Sequence, residues 1–313
     1  MKILITGANG FLGYYLTKQL SEKGYEVIAT GRDDCRLPFI ENEFFHYESM
    51  DFTYPFAVHD VFKKYKPEVV VHAGAMSKVD ECELNQWQAY VANVEGTVTL
   101  LLNAEEQKSF FVFVSTDFIF DGEKARLNDS RPNGSSGGAV GQGLYKEDDI
   151  PNPVNFYGKT KLEAEVAVKE YEFDWAIVRT ILVYGKPTTG KGNLLTVVKE
   201  KLEKGEEYCV VDDQLRTPTF VEDLAAGIIS VIERKAKGVY HLSGDDILTP
   251  YEMACKVADH LKLNKSLIKK VTAAEFSQPA KRPPKTGFVI EKSRKKLGFH
   301  PVSFEEGLRR TFS

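Results

Sequence analysis

The sequence predicts an α/β protein: a doubly wound parallel sheet with a smaller lobe made mainly by the last third of the chain. Three observations carry that prediction. Short apolar runs without polar alternation, such as Lys2–Thr6 and Val69–His72, read as strands buried on both faces. Helical stretches separate these runs, so strand and helix alternate through the first half, as a parallel sheet with crossover helices requires. The first strand also leads directly into a glycine-rich turn that opens a helix.

The bulk properties bound the problem. A length of 313 residues suits one large α/β domain, or one domain with a smaller annex. With 42% hydrophobic and 27% charged residues the chain is globular, and a formal charge of −4 argues against a nucleic-acid surface. The four cysteines (Cys35, Cys82, Cys209, Cys255) are scattered, with no C-x-x-C pair and no metal-like cluster, which fits free thiols in a reducing cytoplasm. MKILITGANG enters structure without a signal-peptide pattern, and no stretch approaches the roughly 18 apolar residues of a membrane span.

In order along the chain, Lys2–Thr6 is the first strand and Gly7-Ala8-Asn9-Gly10-Phe11-Leu12-Gly13 the turn, followed by an amphipathic helix to Lys23. Gly7 allows the tight turn, Gly10 lets backbone approach a pyrophosphate, and Gly13 lets the helix pack against the strand. The spacing is G-x-x-G-x-x-G, and its place between strand and helix points to a dinucleotide. Residues 24–30 give the second strand, with Arg32 at its tip and Asp33 and Asp34 beyond. An arginine here suits a 2′-phosphate, so NADPH is favoured, with NADH as the alternative; the plainer reading is an exposed loop charge. Asp51 follows a third strand (46–50), where it either accepts the adenine amino group or caps the helix starting near Pro55.

After the fourth strand, Val69–His72, the small residues Ala73, Gly74 and Ala75 would let a cofactor lie across the strand ends, while His72 reads as a packed strand-end residue. Residues 85–107 form a long helical segment carrying Asn93. The fifth strand, 110–114, delivers Ser115, Thr116 and Asp117. Residues 125–143 are almost devoid of apolar side chains, so a mobile surface loop is expected there. Next comes NFYGKTKLEAE (155–165), which sets Tyr157 and Lys161 one helical turn apart on one face. An ammonium near a phenol favours the phenolate, so this pair is a proton donor suited to a carbonyl. Beyond it lie a sixth strand (Trp175–Thr180), helices near 188–204 and 221–234, strands at 209–211 and 239–242, and a mostly helical remainder from Thr249, with a basic stretch at 281–296 and a last helix at 303–312.

TGANGFLG, STDFIFDG, YGKTK and DDQLRTPTFVEDLA occur in that order. As a set they resemble the extended short-chain dehydrogenase/reductases, and among them the dTDP-4-dehydrorhamnose reductase (dTDP-L-rhamnose synthase) family, over nearly the whole chain apart from 125–143. The resemblance implies a Rossmann-type fold, with residues 1–180 binding NAD(P) and residues 181–313 mainly forming the substrate-binding lobe, some segments returning to the sheet. It implies that Tyr157 is the acid/base, that Lys161 is its partner and holds the nicotinamide ribose, and that Thr116 hydrogen-bonds the reacting oxygen. It assigns the Gly7–Gly13 loop, including Phe11 and Leu12, to the pyrophosphate, Arg32 to the 2′-phosphate, Asp51 and Phe52 to the adenine side, and Ala73, Gly74 and Ala75 to the cofactor wall. Asp117, Arg216 and Lys281 fall where the family meets its sugar nucleotide.

The implied activity is NADPH-dependent reduction of the 4-keto group of a 4-keto-6-deoxy sugar nucleotide. Sugar-nucleotide 4,6-dehydratases of the superfamily carry Thr-Asp-Glu where this chain has Thr116-Asp117-Phe118, and 4-epimerases carry a small Ser/Ala run, so net reduction is what remains. The same group includes a non-catalytic, NADP-binding regulatory subunit of methionine adenosyltransferase, which is the alternative, together with sugar-nucleotide epimerases or reductases of other specificity. Family members often dimerise, and some place magnesium between subunits; this chain shows no acidic cluster from which metal ligands could be assigned.

Overall fold

A computed structural model describes residues 1–39, 42–124, 144–188, 192–275 and 278–313; the segment 125–143, expected above to be a surface loop, lies outside the described residues. The strands are, in chain order, β1 (Lys2–Thr6), β2 (Glu26–Gly31), β3 (Phe45–Ser49), β4 (Val69–His72), β5 (Phe110–Thr116), β6 (Trp175–Thr180), β7 (Val183–Tyr184), β8 (Tyr208–Val211), β9 (Thr219–Phe220), β10 (Gly238–His241) and β11 (Ile268–Val271). Seven of them form one parallel sheet in the order β10-β6-β5-β4-β1-β2-β3. The strand order reverses between β1 and β4, and the crevice at their carboxyl ends is where open α/β sheets bind ligands.

The unbroken apolar runs follow from coverage on both sides. Side chains alternate across a strand, so Val69 and Val71 enter one core and Val70 the other. On one face Ile3, Ile5 and Val112 pack with Leu16 and Leu20 of α1 (Phe11–Glu22) and Ile228 and Ile232 of a helix at Val221–Glu233. On the other face Leu4, Val70 and Phe113 pack with α2 (Pro55–Tyr65) and with two later helices that supply Leu100 and Ala164. A third core, with Tyr184, Val198, Phe220, Val257, Ile268 and Phe304, is built wholly from residues beyond β6.

The segment 85–107 is not one regular helix. A short α3 (Val79–Leu84) precedes α4 (Gln86–Tyr90), a π-helical turn (Val91–Glu95) and α5 (Gly96–Gln107). The wide turn buries Asn93, which bonds Met76 N (2.8 Å), Met76 O (3.0 Å) and Thr160 Oγ1 (3.0 Å), joining the loop after β4 to α6 (Phe156–Glu170). The region beyond Thr249 is also less helical than expected. After α7 (Leu194–Glu203), α8 (Val221–Glu233) and α9 (Pro250–Leu261), the left-handed Lys262 (φ 55) ends the helix, and Ile268–Val271 pairs with β8, burying Ile268 and exposing its two lysines. Only then come α10 (Glu291–Leu297) and α11 (Phe304–Phe312).

The second-face helix that carries the Tyr-Lys pair is fixed by a buried ion pair. Glu165, fully buried on α6, accepts from Arg179 of β6 at 2.9 Å (Nε) and 2.7 Å (Nη2), and from Ser115 Oγ of β5 at 2.7 Å. Removing one partner of such a pair leaves an uncompensated buried charge. Glu165→Gln is therefore expected to lower the unfolding free energy by about 3–5 kcal/mol, and Glu165→Leu/Arg179→Met together by much less, as measured by urea denaturation.

Candidate active site

One cavity of about 1120 Å³ runs along the carboxyl ends of the strands, from the glycine loop to the start of α6. At the glycine end Gly7 has φ +70, and a Cβ there would stand 2.8 Å from Gly74 Cα; a Cβ on Gly13 would stand 2.2 Å from Gly7 O. Loop, strand end and helix are thus in direct backbone contact. The N-cap of α1 is Gly10, which brings no capping side chain, so the first-turn amides can serve an anion. Gly7, Gly10, Phe11, Leu12, Gly13, Arg32, Asp51, Phe52, Ala73, Gly74 and Ala75 all line this cavity.

Two features of this end were not anticipated. Arg36 lines the cavity as Arg32 does. Asn9 fixes the loop between them: its side chain donates to Asp34 O (3.0 Å) and accepts from Arg36 N (2.9 Å), while Tyr47 OH donates to Asp33 O (2.6 Å). The sequence hint was a second arginine four residues after the first. Asp51 does not cap α2, whose N-cap is Tyr54; it accepts from Thr53 N (3.0 Å) and Thr53 Oγ1 (2.8 Å), closing a tight turn at the cavity wall. The Phe52 ring fills the space left by Gly74 and Gly96. His72 is buried against Thr6 (2.7 Å) and Thr97 (3.1 Å), and burial holds its pKa well below the usual imidazole value.

At the other end Thr116, Asp117, Phe118, Tyr157 and Lys161 line the same cavity. Asn155 caps α6 by accepting from Gly158 N (2.8 Å), and a Cβ on Gly158 would stand 2.1 Å from Phe118 O. That close approach seats the Tyr157 ring edge-on to Phe118, with centroids 5.9 Å apart. Gly158 stood inside the YGKTK motif, but its packing role depends on a partner far away in the sequence. The electrostatics reverse the simple expectation for the pair. Burial raises the Tyr157 pKa above the ordinary phenol value, the charges of Asp117 and Cys82 add to the rise, and a hydrogen bond with Thr116 opposes it. Burial likewise lowers Lys161 to about 7, partly offset by Glu165, and its Nζ lies 3.8 Å from the centre of the Phe113 ring. Desolvation outweighs the mutual influence of the pair.

The three residues expected at the sugar nucleotide take different positions. Asp117 is at the cavity, although only 2% exposed. Arg216 is buried beneath it, with Nε 3.9 Å from Asp117 Oδ2; its other nitrogens donate to the carbonyls of Leu215, Pro283 and Pro284 and to Gln214. Lys281 does not line the cavity; its carbonyl accepts from Asn155 Nδ2 (2.8 Å), and the next residue, Arg282, grips Asp80 of α3 (2.5 and 2.6 Å). Among the described residues no group of three or more His, Cys, Asp or Glu side chains could hold a metal ion, and no helix is long and apolar enough to cross a membrane.

A family model described as the RmlD substrate binding domain matches residues 1–313. The chain is 30% identical over 308 residues to the spore coat polysaccharide biosynthesis protein SpsK of Bacillus subtilis, covering 98% of this chain and 95% of that one. It is 30% identical over 277 residues to the methionine adenosyltransferase 2 subunit beta of Bos taurus, covering 87% and 75%. The crystal structure of dTDP-4-dehydrorhamnose reductase from Bacillus anthracis, in complex with NADP, superposes with a TM-score of 0.81 at 30% identity, covering 99% of this chain and 98% of that one.

The depressed Lys161 has a measurable consequence. The unfolded chain holds this proton up to the ordinary lysine value of 10.5, the folded chain only up to about 7. Between those values the unfolded state binds more protons, so this group's contribution to stability is full above pH 10.5 and is lost as pH falls towards 7. Lys161→Met is expected to gain stability relative to the parent as pH is lowered from about 10 to about 7, with no further gain below, as read from urea unfolding across that range.

Proposed function

The chain belongs to the RmlD substrate-binding-domain family, and on that premise we propose that it is a cytoplasmic, NADPH-dependent reductase of the 4-keto group of a 4-keto-6-deoxy sugar nucleotide, of the dTDP-4-dehydrorhamnose type. One observation carries this reading: Thr116, Tyr157 and Lys161 share a single cavity with the glycine loop and two arginines. The reductase from Bacillus anthracis, with its NADP, supports it. Phe118, apolar where a dehydratase needs a glutamate, supports reduction over dehydration. In this reading residues 1–180 hold the cofactor and residues 181–313 mainly hold the substrate.

When bound, the nicotinamide supplies a hydride to the ketone carbon. As charge gathers on the ketone oxygen, the Tyr157 O–H bond breaks and a new O–H bond forms on the substrate. Thr116 would hydrogen-bond the same oxygen, and Lys161 would hold the nicotinamide ribose and stabilise the phenolate left behind. Burial raises the Tyr157 pKa, so the phenol holds its proton at neutral pH, and a positive charge on Lys161 would ease its release.

The direct test is oxidation of NADPH in the presence of a 4-keto-6-deoxy sugar nucleotide, followed by loss of reduced-nicotinamide absorbance. The similarity to the methionine adenosyltransferase 2 subunit beta favours a second reading, a non-catalytic regulatory subunit. That reading takes over if no NADPH is consumed and a stable complex forms with a methionine adenosyltransferase catalytic subunit. Under the first reading Tyr157→Phe lowers turnover by about 10²–10⁴-fold with NADPH still bound. Arg36→Ala weakens NADPH about tenfold more than NADH in fluorescence titrations, because a phosphate-directed guanidinium is lost.

A further inference from the structure

The first turn of α6, which carries Tyr157, is held by more than its own cap. A helix start leaves backbone amides without partners inside the helix. Asn155 takes the amide of Gly158 (2.8 Å), and the amide of Phe156, next to Tyr157 in the chain, donates to Glu83 Oε2 at 2.9 Å. Glu83 belongs to α3 and stands 73 residues earlier in the sequence. It does not line the cavity, whereas Val79 and Glu81 of the same short helix do. A carboxylate at a helix start is also favoured by the helix dipole.

α3 is itself fixed on two sides. Cys82 Sγ donates to Met76 O at 3.2 Å, and Met76 lines the cavity beside Ala75. Asp80 accepts from Arg282 Nη1 and Nη2 (2.5 and 2.6 Å) and from Ala280 N (3.1 Å). Asn155 Nδ2 in turn donates to Lys281 O (2.8 Å). Three stretches far apart in the chain therefore close on one another in pairs: Glu83 on Phe156, Asn155 on Lys281, Arg282 on Asp80. We propose that Glu83 is a positioning residue for Tyr157: it fixes the first turn of α6 against α3, and Asp80 steadies that turn by tying α3 and Asn155 to the same segment, 280–282. A proton donor must stand within hydrogen-bond reach of its acceptor, and a misplacement of about 1 Å can cost about 10²-fold in rate. Glu83 gains and loses no proton in this role.

Two measurements test the proposal, and only the second rests on the reductase reading. Amide hydrogen exchange of residues 155–160, read by mass spectrometry on the whole protein without ligand, is expected to quicken about tenfold in Glu83→Ala. It stays at the parent rate in Glu83→Gln, whose amide oxygen accepts the same bond. Asp80→Asn quickens the same amides, although its side chain faces residues 280 and 282, while β5 (110–116) exchanges at the parent rate in every variant. In turnover, Glu83→Ala lowers kcat about tenfold with KM changed by no more than about twofold, and Glu83→Gln restores kcat. Parent-like exchange at 155–160 in Glu83→Ala or in Asp80→Asn overturns the proposal, as does faster exchange that extends to β5. A Glu83→Ala enzyme that keeps its kcat, or a loss that Glu83→Gln does not restore, overturns it as well. If the parent protein reduces no 4-keto-6-deoxy sugar nucleotide, the reductase reading fails, and exchange at 155–160 alone decides whether Glu83 holds the turn of Tyr157.

Discussion

The bond between Glu165 and Arg179 governs the reaction end of this protein. Taking two charges out of water is unfavourable, and the pair persists because its geometry is bidentate and Ser115 satisfies a further lone pair. Its effect is directional. Glu165 lies one turn beyond Lys161 and two beyond Tyr157 on α6, so fixing it to β5 and β6 fixes the other two over the same strand ends. The contact of Gly158 with Phe118 O and the cap by Asn155 then set the near end of the helix. A helix held at both ends in this way has little freedom to slide, and a proton donor needs that constancy.

The cavity joins two electrostatic regimes. Its glycine end is open to water, with exposed Arg32 and Arg36, alongside Asp33 and Asp51, near helix amides that no capping side chain occupies, a setting for phosphate. Its reaction end is desolvated, and there burial decides: the phenol holds its proton more tightly and the ammonium less tightly than either would in water. A ligand that spans both regimes anchors by charge at one end and brings its reacting part into the dry end at the other.

The fold was largely legible because the inner strands of the main sheet, β1, β2, β4, β5 and β6, are buried on both faces and therefore read as apolar runs, while the edge strand β3 (FHYES) does not. The glycine loop was legible because its spacing sits between a strand and a helix. Legibility failed where function depends on partners distant in sequence. Nothing near Gly158 announces Phe118 O, nothing near Asn93 announces Met76 and Thr160, and the helical pattern of 85–107 conceals a π turn. Arg216 and Lys281 look alike as exposed-type cations in a sequence; only the structure separates one buried under Asp117 from one turned away from the cavity. The Tyr-Lys spacing was read correctly as a shared helix face, but the direction of its pKa shifts depended on burial, which spacing does not encode.

Pro283 and Pro284 have no amide hydrogen to offer a neighbouring strand, so this stretch of chain cannot be secured by a full ladder of backbone bonds. The guanidinium of Arg216 does that work instead, reaching the carbonyls of both prolines and of its own neighbour Leu215 from a single side chain. A side chain here stands in for an edge strand. The position is therefore one where a lysine would carry the same charge and still be a different structural object, since a point-like ammonium lacks the planar fork that spans these acceptors. Changing Arg216 would take these donors from the carbonyls of Leu215, Pro283 and Pro284, and the counter-charge from Asp117, whatever residue stands at 283 or 284.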